Sequence, residues 1–153
     1  MIVLFLLASI FQLIQGQDTI WMNDLQLGKE NLAFHIPGID KPFSGYAYEI
    51  TKDDAKTISR FYLVKGEVRF VTNYYSSGEK KSNMKYGIQG PIGNIYVEYH
   101  PNGKKKIESK YYFSKKLKIW KYWNSNGKIC KIEKYAGNGL LIETKKYKED
   151  CEN

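Results

Sequence analysis

The sequence predicts an all-β fold, an elongated antiparallel meander of stacked β-hairpins. One motif, a pair of aromatic residues followed by a turn sequence, recurs with its turn centred on Ala55, Gly78, Gly103 and Gly127. The steps between these positions are 23, 25 and 24 residues, a period typical of one supersecondary unit that is stacked repeatedly. Within a unit the apolar residues alternate with a period of two, as in a half-buried strand, and helical spacing is absent.

The repeat has four copies of unequal clarity. The two clearest run from Tyr96 to Lys104 and from Trp120 to Lys128, a third from Val71 to Glu79, and a worn fourth from Tyr48 to Lys56. Their Ser-Ser-Gly, Pro-Asn-Gly and Ser-Asn-Gly segments favour tight turns, because glycine accepts a positive φ and Asn or Ser bonds the local backbone. Each copy is therefore predicted to be a strand, a turn and a strand. The expected connections between copies are residues 87–93, 114–118 and 137–139.

Aromatic side chains form columns when the copies are aligned on the turn. A lone hairpin is marginally stable in water, so neighbouring hairpins are expected to bury these columns against one another. This packing predicts a thin sheet without a central core. The columns are Tyr48, Val71, Tyr96 and Trp120, then Tyr74, Tyr99 and Trp123 before the turn, and Tyr62, Tyr86, Tyr111 and Tyr135 after it.

The chain opens with an apolar run over residues 1–16 that is too short for a stable membrane-spanning helix. It resembles a secretory signal peptide cleaved after Gly16, which predicts an exported protein of the periplasm, the cell envelope or the medium. The alternative is a buried or loosely attached N-terminal strand. An N-terminal segment at 17–42, the repeat array at 43–147 and a tail at 148–153 complete the organisation.

Two cysteines, Cys130 and Cys151, are present. Outside the cytoplasm such a pair can close a disulfide, which here would tie the tail to the last repeat. Neither a Cys-x-x-Cys pair nor nearby histidines exist, so zinc is not expected.

The net charge of +8 is uneven, since residues 61–153 contain nineteen basic and nine acidic side chains. A basic surface for an acidic partner is one interpretation. The other is that these lysines are ordinary solvated residues of turns and sheet edges.

Nucleic acid is not an expected partner, because single-strand binding surfaces draw on Arg and this chain has almost none.

The sequence does not predict an enzyme. The histidines, His35 and His100, lie in no catalytic motif, and the nucleophile-elbow, phosphate-loop and metalloprotease signatures are absent. No catalytic residue, cofactor or metal is therefore expected.

The repeated pattern of paired aromatics, Asn-Gly-Lys and a following Tyr resembles the MORN-repeat variant of bacterial YwqK-type antitoxins. The segment Lys41 to Tyr48, with its Pro-Phe-Ser-Gly, is similar to the Pro-Phe-Thr-Gly that opens the array in that family. The resemblance covers residues 41 to about 146. It implies an antiparallel hairpin array and, for some members, neutralisation of a toxin by direct binding. Ala55 departs from the turn glycine, and Lys118-Ile119-Trp120 lacks the glycine expected before the aromatic.

These features predict a non-enzymatic exported repeat protein that binds another protein, as an antitoxin or immunity factor. The alternative is a structural or surface-adhering envelope module that binds anionic lipid, glycan or cell-wall polymer. Binding is expected to combine exposed aromatic anchors with positive charge. Tyr96 and Trp120 are predicted to form the exposed column, because Tyr99 and Trp123 share a face with aliphatic residues. The predicted binding residues are Tyr96, Trp120, Lys104, Lys105, Lys121 and Lys128.

Overall fold

The computed structural model describes residues 20–29, 32–50, 58–86, 94–112, 114–148 and 150–151. Over these residues the chain forms β-strands and one short 3-10 helix, which confirms the predicted all-β fold of consecutive antiparallel hairpins. The predicted signal peptide, the turn at Ala55 and the connection at 87–93 lie outside the described residues. None of the described residues forms a helix of the length and hydropathy that crossing a membrane requires.

The chain divides into two compact units, residues 1–79 and residues 80–153. In unit 1 the strand order is β1-β4-β5-β6, in which the short β1 runs parallel to β4 and the other pairs are antiparallel. Strands β2 and β3 form a separate two-stranded sheet. The elements of unit 1 are β1 (Ile20–Trp21), the 3-10 helix (Met22–Asp24), β2 (Gln26–Leu27), β3 (Phe34–His35), β4 (Gly45–Ile50), β5 (Ile58–Val64) and β6 (Glu67–Tyr74).

Unit 1 has a small hydrophobic core between its N-terminal segment and the first hairpin. Leu25 of that segment is buried against Ala47 and Leu63 of β4 and β5, and Phe34 and Phe61 are among the partly buried residues around them. The expectation of a sheet without a central core is therefore wrong for unit 1. Its physical reason is that the segment before the array supplies apolar side chains that cover one sheet face.

The turn between β5 and β6 fastens this cover. The Phe34 amide donates to the Gly66 carbonyl at 2.9 Å, and the Gly66 amide donates to the Phe43 carbonyl at 2.7 Å. Gly66 has a φ of +75°, and a Cβ added there would lie 2.5 Å from the Cβ of Ala33. Only glycine combines that backbone conformation with so close an approach.

In unit 2 every strand pairs antiparallel with the next one along the chain, wherever the pairing is described. The predicted connection at 114–118 is wrong, because strand β10 already begins at Lys115. Lys118 instead lies within the strand at a φ of +59°, where the register with β9 shifts. The strands are β7 (Lys80–Lys85), β8 (Asn94–Tyr99), β9 (Lys105–Tyr112), β10 (Lys115–Trp123), β11 (Ile129–Tyr135) and β12 (Leu141–Lys146).

The turns of the repeat share one hydrogen-bond pattern. At the Gly103 turn, the His100 amide donates to the Lys104 carbonyl at 2.8 Å and the Gly103 amide donates to the His100 carbonyl at 2.9 Å. The turns at Gly78, Gly127 and Gly139 repeat both bonds, and all four glycines have positive φ. The spacing and turn chemistry of the sequence thus correspond to one local geometry.

Two further devices tie unit 2 together. The Gly103 and Gly127 turns are bonded to each other, since the Asn102 amide group donates to the Ser125 carbonyl at 2.7 Å and Lys104 Nζ donates to the Asn126 carbonyl at 3.0 Å. Cys130 and Cys151 form a disulfide with a Cα–Cα distance of 5.3 Å. The tail is thereby attached to β11.

Candidate functional site

Unit 2 presents two faces that differ in chemistry. Strand side chains alternate between faces, and the register of neighbouring strands shows which residues share a face. The aromatic face is defined by Tyr96, Tyr111, Trp120, Tyr122 and Tyr135. The basic face is defined by Lys105, Tyr112, Ile119, Lys121 and Trp123.

Trp120 lies at the centre of the aromatic face and is 4% exposed. Its ring packs edge-on against Tyr111 at a centroid distance of 4.8 Å and tilted against Tyr135 at 5.6 Å. The Lys116 ammonium lies 4.4 Å from the Trp120 ring centroid, within reach of a cation–π interaction. Trp120 is therefore held by rings from both neighbouring strands and by the ammonium group of Lys116 from its own strand.

The prediction that Trp120 belongs to an exposed column is wrong. Large rings on adjacent strands can bury one another across the sheet, because each withdraws roughly 150 to 250 Å² from water. The Trp120 indole N–H also donates to the Lys110 carbonyl at 3.2 Å, which satisfies its one polar atom. The aromatic column is therefore the packing side of unit 2.

Glu133 anchors a polar network within this face. Its carboxylate accepts hydrogen bonds from the Tyr122 hydroxyl at 2.7 Å, the Tyr135 hydroxyl at 2.8 Å and Lys131 Nζ at 2.9 Å. Burial raises the pKa of Glu133, but the bonds from Lys131, Tyr122 and Tyr135 outweigh burial and lower this pKa to about 2. Burial and the bond to Glu133 raise the pKa of Tyr122. Glu133 is thus ionised and fully engaged at neutral pH, a structural role.

Tyr96 is half-buried on the same face. Its hydroxyl donates to Glu98 at 3.3 Å, and burial together with Glu98 raises the pKa of Tyr96 to about 12. Tyr96 and Tyr111 line an open pocket of about 350 Å³ with Met84, Asn94 and Ser114. The role of Tyr96 in binding stays a prediction.

The basic face carries large apolar residues that are exposed to solvent. Ile119 is 51% exposed and Tyr112 is 42% exposed. In the strand register, Lys121 lies directly opposite Glu108 of β9. Lys105 forms an ion pair with Glu108 at 2.6 Å and lies 5.6 Å from the Trp123 ring centroid. Exposed apolar side chains here stand among long cationic ones.

The structure divides the six predicted binding residues among three places. Lys104 and Lys128 lie in the stacked turns, outside both faces. Ile119 and Tyr112 are not among the binding residues predicted from the sequence. If Trp120 had been taken as buried, the alternation of side chains along the strand would have placed Ile119 on the opposite, exposed face. Tyr96 and Trp120 lie on the aromatic face, Lys105 and Lys121 on the basic face, and Lys104 and Lys128 at the turn edge.

One residue of unit 1, Ala47, can be compared directly with Ile119 on the basic face of unit 2. In the repeat alignment Ala47 occupies the position of Ile95 and Ile119, eight residues before the turn centre. Ala47 is fully buried beneath the N-terminal segment, whereas Ile119 is exposed. Ala47 in unit 1 is thus covered, whereas Ile119 at the same repeat position in unit 2 is open.

No group of three or more His, Cys, Asp or Glu side chains within the described ranges could hold a metal ion. Comparison with protein-family models, with curated proteins and with solved structures finds no match for this chain.

Proposed function

We propose that the chain is a non-enzymatic, exported protein-binding module whose basic face docks on an acidic protein, as an antitoxin or immunity factor does. The observation that carries the proposal is the open basic face, where Ile119 and Tyr112 are exposed among lysines. Exposed apolar side chains among charged ones are typical of protein interfaces.

The charge of the face specifies the chemistry of the partner. Side chains of Lys105, Lys121 and their neighbours outnumber the carboxylates on this face, so an acidic surface would be attracted and oriented by it. Ile119 and Tyr112 would supply the apolar contacts that determine how long the complex lasts. The Glu133 network supports a binding role over catalysis, because its ionised carboxylate is occupied by three donors.

Two further observations support the biological context. The repeat pattern resembles the MORN-repeat variant of YwqK-type antitoxins, some of which neutralise a toxin by binding it. The apolar run at residues 1–16 supports export, and N-terminal sequencing of the protein from its native host should then begin near Gln17. An intact Met1 in a cytosolic fraction would contradict export.

The test begins with the mature chain as bait for the envelope fraction of its native host, and continues with the dissociation constant of the purified partner. The double variant Lys105→Glu/Lys121→Glu should weaken binding at least about tenfold, because it reverses charge at the centre of the basic face. The matched control is Lys104→Glu/Lys128→Glu, which makes the same charge change at the turn edge and should alter binding less than about threefold. Equal losses for the two double variants would contradict the proposal.

Anionic lipid, glycan or cell-wall polymer is the competing occupant of the same lysines. A docked polyanion would respond to total charge, so both double variants should then weaken binding alike and salt should abolish it. Binding to anionic vesicles or to purified wall polymer by the wild-type chain and the two double variants separates the two outcomes.

A further inference from the structure

Strand β12 forms an open edge of unit 2. All six of its residues, Leu141 to Lys146, are exposed, and it stands last in the strand order. None of the described strands pairs with its outer side. An edge of this length is a template for pairing with another chain, and proteins usually protect such edges.

The backbone shows which groups face outward. The Tyr147 amide donates to the Cys130 carbonyl at 2.9 Å, so the backbone groups of Tyr147 face β11. Residues of an antiparallel strand alternate between their two neighbours. Glu143 and Lys145 therefore also bond toward β11, and Ile142, Thr144 and Lys146 direct their N–H and C=O groups to the open side.

Two of the six side chains of this edge are large, apolar and exposed. Leu141 is 54% exposed and Ile142 is 58% exposed. By contrast, the sheet of unit 1 ends at β1, a strand of only two residues that pairs with β4. A short edge strand is a common protection against pairing, and β12 lacks it.

We propose that β12 pairs antiparallel with β12 of a second copy of this chain, with the two-fold axis at Thr144. The sequence around Thr144 is self-complementary in this register. Glu143 lies opposite Lys145 of the other copy, and Lys145 opposite its Glu143, so two opposite-charge pairs form on one face. Leu141 lies opposite Tyr147, which places apolar side chains at both ends.

A two-fold axis at Thr144 also matches the backbone N–H and C=O groups that point outward from β12. Thr144 would exchange two hydrogen bonds with its own copy, and Ile142 would exchange bonds with Lys146 on either side of the axis. A closed two-fold pairing satisfies the whole edge and leaves no further strand to add. Because one strand pair buries a small area, the dimer is expected to be weak and concentration-dependent.

The inference does not rest on the proposed function, because it needs no partner other than a second copy of the chain. Sedimentation of the full chain under non-reducing conditions, from about 5 µM to about 500 µM, should show a monomer–dimer equilibrium, as weak interfaces do. Glu143→Lys and Lys145→Glu should each raise the dimer dissociation constant at least about tenfold, because each sets like charges opposite one another.

Mixing the two single variants supplies the decisive control. A Glu143→Lys chain has two lysines at the contact and a Lys145→Glu chain has two glutamates, so the mixed dimer should regain the wild-type dissociation constant. Thr144→Pro should abolish pairing while leaving the bonds to β11, because it removes an outward N–H. A wild-type chain that stays monomeric throughout, a dimer indifferent to these changes, or folded single variants that do not recover on mixing would each overturn the proposal.

Discussion

In unit 1 the N-terminal segment covers one face of the repeat hairpins, whereas in unit 2 the corresponding face is open. The covered face buries Ala47 and Leu63 beneath Leu25. The open face exposes Ile119 at the position equivalent to Ala47. One repeat therefore supports two arrangements, and the difference lies in what is added to the hairpins.

The comparison shows where each unit obtains its stability. Unit 1 relies on a small apolar core between two layers. Unit 2 relies on cross-strand ring packing at Trp120, the bonded turns at Gly103 and Gly127, and the Cys130–Cys151 disulfide. Because the aromatic face supplies the packing of unit 2, the basic face is the one that we propose for binding.

The largest expected effect is at the centre of the aromatic face. Trp120→Ala should lower the free energy of unfolding by about 3 to 5 kcal/mol, because it leaves a cavity among Tyr111, Tyr135 and Lys116. Trp123→Ala on the basic face is the matched control and should cost about 1 to 2 kcal/mol, since that ring is only partly buried. Denaturant unfolding measures both values, and a larger loss for Trp123→Ala would mean that the packing side of unit 2 has been misassigned.

A second pair of substitutions compares the Gly66 turn, which lies against the N-terminal segment, with the Gly103 turn, where the glycine has open space around it. Gly66→Ala should cost about 2 to 4 kcal/mol, because its Cβ would meet Ala33 and the Phe34 backbone as well as straining a positive φ. Gly103 has a nearly equal φ of +78° and nothing within 4 Å of an added Cβ. Gly103→Ala should therefore cost only about 1 kcal/mol. Similar melting temperatures for the two variants would argue against the N-terminal cover.

The smallest expected effect concerns the polar network of unit 2. The folded-state pKa of Glu133 is lowered from 4.5 to about 2, so its ionised form stabilises the fold above its unfolded pKa. This contribution should disappear as pH falls from about 4.5 to about 2. Glu133→Gln should lower the free energy of unfolding by about 1 to 2 kcal/mol at pH 7. The stability of this variant should also fall less steeply with acid than that of the wild type. A variant whose stability falls with acid as steeply as the wild type would exclude Glu133 as the titrating group.

The sequence predicts the repeat well because its determinants are local. The spacing of Gly78, Gly103 and Gly127 and the two-residue alternation are enough to predict consecutive hairpins. The cover in unit 1 left no such signal, since strands of two residues are too short to show alternation. Lys118 adopts a left-handed backbone conformation within β10 although it is not a glycine, and nothing in the sequence indicated this.

The face of the site was harder to predict than its fold. Alternation shows that Tyr96 and Tyr99 point to opposite sides, but it does not show which side packs. That choice depends on contacts between strands, as when Trp120 meets Tyr111 and Tyr135. The disulfide partners needed no choice, because only Cys130 and Cys151 exist.

The central claim is that unit 2 packs through its aromatic face and binds through its basic face. Hydroxyl-radical footprinting of the mature chain, alone and in complex with the captured protein, tests both parts in one measurement. In the free chain Trp120 should react little, while Ile119, Tyr112 and Trp123 should react readily. In the complex the reactivity of Ile119 and Tyr112 should fall. A reactive Trp120 in the free chain, or protection confined to Tyr96 and Tyr111, would contradict the account.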